Sequence, residues 1–193
     1  GTEVTINYKL QAFAPGSATF DVERGALTDI SPVPWQTCTS IAKNSWGYTE
    51  NNKFKSAYHV ICDLIDIVSK NGVMLLNVGP KPDGTITDEE TAVLNEIGDW
   101  LKTNGEGIYD TVPWKTFGEG KVNTKDGSFK DNKTKKYTEN DFRFTYKDGA
   151  VYVFQMKPTH DGVIRIKNFK KIAQDAIVYS VKLLGNHSPI IIS

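Results

Sequence analysis

The chain has 193 residues, enough for one large or two small domains. Hydrophobic residues make up 39% and the formal net charge is zero, so a core can form and the balance is not that of a dedicated nucleic-acid binder. No apolar run reaches the ~18 residues of a membrane span, and the opening GTEVTINYKL lacks the charged and apolar regions of a signal peptide.

Val4 to Tyr8 alternates like a strand and is rich in β-branched residues. After a loop at Pro15-Gly16, Ala18 to Glu23 reads as a second short strand, stopped at Gly25. Trp35 to Ile41 is a third strand candidate, followed by a polar loop around Ser45-Trp46-Gly47-Tyr48. Ser56 to Lys70 has helical periodicity, with Val60, Ile61, Leu64, Ile65 and Val68 on one face. Asn71-Gly72 supplies its left-handed stop. Val73 to Val78 is apolar on both faces until Asn77, the pattern of a parallel strand covered on both sides. Thr87 opens another helix, with Glu90 in capping-box position, and Asn104-Gly105 ends it. Helix, buried strand, loop and helix make a βα unit.

The character changes near Pro113. Residues 121–136 carry six lysines and read as a solvated loop. Phe142–Tyr146, Val151–Met156, Val163–Lys167, Ile177–Leu183 and Ile190–Ile192 then read as strands of a small antiparallel domain. Turns at Lys147-Asp148-Gly149 and His160-Asp161-Gly162 separate the first three.

Few residues carry candidate chemistry. Glu23 falls at a strand's C-terminal end, where barrel enzymes keep their active sites; the alternative is a surface carboxylate paired with Arg24. Trp35 and Trp46 offer flat faces for a sugar ring, or simply pack in the core. The polar loop around Trp46 favours a site there. Asn77 either faces a site or satisfies loop backbone. Asp63 and Asp66 read as the polar face of the first helix. Cys38 and Cys62 lack metal spacing and read as unpaired, packed thiols. The histidines are scattered, without ligand spacing. Gly79 to Gly84 lacks the spacing of a phosphate loop. Asn132-Lys133-Thr134 and Asn186-His187-Ser188 match the glycosylation sequon only as short patterns.

Three long runs carry a resemblance: PWQTCTSIAKNSWGY at 34–48, LIDIVSKNGVMLLNVGPKPDGTI at 64–86 and EIGDWLKTNGEGIYDTVPW at 96–114. In this order they resemble retaining α-L-fucosidases of glycoside hydrolase family 29, over roughly residues 4–120. The resemblance implies an α/β fold: a partial (β/α)8-type barrel, later strands only, at 1–112, then a small antiparallel β-sandwich domain at 113–193. It implies hydrolysis of terminal α-L-fucosyl linkages with retention, by an N-terminally truncated form. The alternative is a non-catalytic barrel remnant that binds fucosylated glycans. Glu23 resembles the family's general acid/base, Trp46 the wall that meets the fucose methyl group, and Trp35 a neighbouring site aromatic. No metal or organic cofactor is implied, and a periplasmic or secreted bacterial location is. The family's aspartate nucleophile and fucose-binding histidines come from earlier strands and loops, which no stretch here resembles. Asp21 lies near Glu23, with no motif that makes it a nucleophile. A half-barrel leaves two edge strands open, so a homo-oligomer or a missing N-terminal half-barrel is the expected partner.

Overall fold

The computed structural model describes residues 4–9, 13–133, 135–168 and 178–186. Four short strands form a parallel sheet in sequential order: β1 (Asn7–Tyr8), β2 (Thr19–Asp21), β3 (Trp35–Ser40) and β4 (Gly72–Asn77). Only the β3–β4 crossover carries a helix, α1 (Ala57–Val68); loops make the other two. Helix α2 (Asp88–Asn104) follows β4. Three further strands, β5 (Val112–Glu119), β6 (Phe142–Lys147) and β7 (Ala150–Gln155), form an antiparallel sheet.

The local signals explain most element ends. Ser56 caps α1 by accepting the His59 N–H, and Asn71 turns the chain out of the helix at φ 71°. Thr87 caps α2 by accepting the Glu90 N–H, but the Glu90 carboxylate does not simply close the capping box. It is buried and accepts both the Thr87 hydroxyl and the Gly79 N–H, which pins the β4–α2 loop. Asp148 and Gly149, both at positive φ, make the two-residue turn between β6 and β7 that the sequence specifies.

Three expectations about the strands change in the structure. Strand β5 was not expected. The Val163–Lys167 segment forms no strand, and neither do residues 178–183; Ile190–Ile192 lies outside the described residues. Among the described residues the antiparallel part is therefore one three-stranded sheet rather than two packed sheets. Strand β4 is covered on one face only. Met74 and Leu76 pack against Val60 and Ile97 of the helices, while Val73 and Leu75 are 55% and 56% exposed.

Helix α1 carries the hydrophobic contact between the two halves. Cys62 and Ile65 of α1 pack with Ile108, Tyr137, Phe154 and Met156, so hydrophobic contact crosses the expected boundary at 112/113. Both cysteines are free and buried, as their context implied. Helix α1 lies between the two sheets and is covered nearly all round. That is why its polar face is not solvated. Asp66 is fully buried: its Oδ1 accepts Arg143 Nε of β6 at 2.6 Å, and its Oδ2 accepts Lys70 Nζ at 3.0 Å and Thr124 Oγ1 at 2.7 Å. Asp63 pairs with Lys135 at 2.9 Å and lies 3.3 Å from His59 Nε2. Phe117 of β5 sits beneath the Lys70 and Arg143 cations. The lysine-rich segment is likewise not a free loop. Its Thr124, Asp131 and Lys135 are all hydrogen-bonded to the helix-and-sheet half.

Candidate active site at the carboxyl ends of the parallel strands

The register fixes which side chains share the uncovered face of the sheet. Gln36, Cys38 and Ser40 of β3 stand opposite Val73, Leu75 and Asn77 of β4. Asp21, at the end of β2, accepts Gln36 Nε2 with one oxygen and the Cys38 N–H with the other. Both Asp21 oxygens are thus tied to β3. Lys9, just past β1, reaches over to Glu23 Oε2 at 2.8 Å and Cys38 Sγ at 3.3 Å. Burial pushes the Lys9 ammonium down, and its bonds to Glu23 and Cys38 outweigh this and raise it. Burial and the nearby Asp21 carboxylate push the Cys38 thiol up, so it stays protonated.

Glu23 lies two residues beyond β2, and its side chain is 26% exposed. Its partner is Lys9, not Arg24. Arg24 adopts φ 48° and turns inward, where it is buried. Its Nη2 donates to the carbonyls of Ala42 at 2.9 Å and Lys43 at 2.6 Å, at the start of the Trp46 loop. Its guanidinium carbon lies 5.1 Å from the centre of the Trp46 ring. The other side of the loop is held by Asn77, whose Nδ2 donates to the Trp46 carbonyl at 2.7 Å. Asn77 thus satisfies loop backbone. Trp46 itself is 37% exposed, at the same sheet end as Glu23.

Trp35 does not join them. It is 1% exposed, at the first position of β3, the opposite end of the strand from the Trp46 loop. Its ring packs on Ile67 and against Gly72, where even a Cβ would come within 2.6 Å of the ring, and its Nε1 donates to the Lys70 carbonyl. The site role expected for Trp35 is therefore corrected: it is a core residue. Sequence reasoning also missed Lys9, Arg24 and Asp131. Asp131 Oδ1 accepts Arg24 Nε at 3.3 Å, while Oδ2 accepts Lys55 Nζ at 2.6 Å and Thr39 Oγ1 at 2.5 Å. The one local signal was the Arg next to Glu23; the other partners are up to 107 residues away.

Chemically, the strand ends present one half-exposed carboxylate, an ammonium beside it and a supported aromatic face. Among the described residues no three His, Cys, Asp or Glu side chains converge as a metal-ligand set.

The α-L-fucosidase family model matches residues 3–106, more than half of the chain. The chain belongs to the α-L-fucosidase family. It is 33% identical over 139 residues to the tissue α-L-fucosidase of Rattus norvegicus, which covers 70% of this chain and 26% of the relative. It is 38% identical over 88 residues to the human plasma α-L-fucosidase, 44% of this chain and 19% of the relative. Among solved structures, the Thermotoga maritima α-fucosidase in complex with fucose superposes with a TM-score of 0.57 at 29% identity, over 75% of this chain and 29% of that one. A further α-L-fucosidase gives a TM-score of 0.60 at 28% identity, over 75% of this chain and 30% of that one. The chain spans about a quarter of the length of the rat relative. The matched family segment contains all four parallel strands and α1 and α2, and ends before β5.

Proposed function

We propose that this chain forms the Glu23–Trp46 side of a site that hydrolyses terminal α-L-fucosyl linkages with retention. The observation that carries the reading is the pairing of a half-exposed carboxylate with a half-exposed tryptophan at one end of a parallel sheet, within a segment shared with fucosidases. In this reading the Trp46 face packs against the apolar side of fucose and its methyl group. Glu23 protonates the departing oxygen and then takes a proton from the attacking water. Lys9 keeps the carboxylate oriented, through the oxygen it holds. Retention needs a second carboxyl ~5 Å from the first. Asp21 is a poor choice, because both its oxygens serve β3. The second carboxyl then comes from further strands paired at the open edges, closing the sheet around its uncovered face toward a (β/α)8-type barrel. Edges β1 and β4, and the exposed Val73 and Leu75, are where such strands or a second copy would pair.

The test is hydrolysis of fucosides by the protein and by Glu23→Gln. Glu23→Gln keeps the shape and removes the proton, so turnover of a fucosyl disaccharide falls by ~10²–10⁴. An aryl α-L-fucoside, whose leaving group needs no proton, loses less in its first step. A fluorinated fucoside that leaves a covalent fucosyl adduct separates an enzyme from a glycan-binding protein. Unchanged disaccharide turnover in Glu23→Gln removes Glu23 from the mechanism.

A further inference from the structure

The segment at 126–132 lies beyond the matched family region, yet it bonds the backbone of the site at Glu23 and Arg24. The Phe129 N–H donates to the Glu23 carbonyl at 2.9 Å. The Lys130 and Asp131 N–H groups both donate to the Arg24 carbonyl, at 2.8 Å and 3.2 Å. Gly25 makes this approach possible, because a Cβ there would stand 2.0 Å from the Gly127 carbonyl oxygen. From the same segment the Asp131 carboxylate, itself buried, takes the Arg24 guanidinium. Arg24 in turn holds the carbonyls of Ala42 and Lys43 and lies against the Trp46 ring.

We infer that Asp131 is a positioning residue for the sugar-binding face: through Arg24 it fixes the Trp46 loop, while Phe129 of the same segment holds the Glu23 backbone. Resting on the reading of Glu23 and Trp46 given above, this makes the C-terminal part of the chain a component of the site.

The physical argument is one of held geometry. Arg24 sits in a left-handed conformation that a non-glycine residue adopts at a cost, so surrounding contacts must enforce it. The planar guanidinium has donors enough for Asp131 on one edge and two loop carbonyls on another. With the Asp131 charge gone, the guanidinium is buried without its anion and is drawn toward the partly exposed Trp46 side. Lys55 and Thr39 hold the second Asp131 oxygen, so the carboxylate is itself fixed by β3 and by a residue two positions before α1.

The experiment reads Trp46 directly. Acrylamide quenching is measured in the full chain and in Trp46→Phe, and the difference isolates Trp46 from the other three tryptophans. The same pair of measurements is made in Asp131→Asn and in Arg24→Lys backgrounds. In both, the Trp46 signal rises toward that of a fully exposed indole, while the other tryptophans keep their quenching. L-fucose, titrated by the same fluorescence, binds roughly tenfold more weakly, the scale of one lost charged hydrogen bond. The double variant Asp131→Asn with Arg24→Lys is no worse than Arg24→Lys alone, because Asp131 reaches the loop through Arg24. If Asp131→Asn does not fold, Arg24→Lys, which keeps a cation beside Asp131, carries the test. Unchanged Trp46 quenching in whichever variant folds, or additive losses in the double variant, overturns the proposal. A parent chain that binds no fucose overturns the functional reading alone, since the quenching still reports on the loop.

Discussion

Replacing Asp66 by Asn is the sharpest test of how the two halves are held together. Asn keeps the shape of the side chain and removes its charge. Asp66 has no exposed surface and accepts from two cations that are themselves buried, Arg143 and Lys70. Each of those bonds is worth ~1.5–3 kcal/mol as a charge-assisted contact, so losing both costs ~3–6 kcal/mol. Breaking a buried ion pair from one side costs ~3–5 kcal/mol by a separate route, because an uncompensated charge is left behind. Asn returns one oxygen as an acceptor, so we expect a loss of about 3–4 kcal/mol. A domain is stable by only ~5–15 kcal/mol, so the change is large. Urea unfolding followed by circular dichroism measures it, as a lower midpoint with the slope unchanged. Replacing Asp66, Lys70 and Arg143 together by apolar residues should recover part of the loss, since nothing charged is then left buried. A shift below about 1 kcal/mol for Asp66→Asn would refute the pairing described for α1 and β6.

Four further outcomes are expected. The pKa values of Asp63 and Asp66 are held below the usual carboxylate range: burial opposes this, and the charge of Lys135, with that of Lys70 and Arg143 at Asp66, overcomes it. Depressed carboxylates stabilise the fold above their unfolded pKa of ~3.9 and lose that contribution as pH falls toward the folded values. Stability should therefore drop below about pH 4, and Asp66→Asn should flatten that limb in urea titrations. Trp35→Ala should cost ~3–5 kcal/mol, as a core tryptophan does, and a melting temperature within a few degrees of the parent would return Trp35 to the surface. Trp46→Ala should weaken fucose binding with a stability change of about 1 kcal/mol or less, and a collapse in melting temperature would mark it as core instead. Light scattering at low micromolar concentration should give a mass above 21.5 kDa, because β4 presents an apolar edge and face; a monodisperse monomer would show that nothing pairs there.

Much was legible from local sequence because the signals involved act over a few residues. The caps at Ser56 and Thr87, the left-handed Asn71 and the Asp148-Gly149 turn each depend on backbone groups close by in the chain. They fixed the helix ends and the hairpin regardless of what packed above them. The long runs from Pro34 to Trp114 also carried the family. Glu23 was read at a strand end and Trp46 in a polar loop for the same reason: strand ends and polar loops are local features.

What only the tertiary structure decided is where each residue type ended up relative to water. Trp35 and Trp46 are eleven positions apart in one motif, yet one lies under α1 and the other in a partly exposed loop. Asp63 and Asp66 have the spacing of a solvated helix face and became a buried ion cluster, because α1 lies between two sheets and is covered nearly all round. The lysine-rich segment had the composition of a free loop, and its Asp131 instead meets Arg24 and Lys55 across 107 and 76 residues of sequence. Pairings of that kind leave no periodicity. A charge looks the same in sequence whether its partner is water or a distant side chain, and only the folded packing chooses between them.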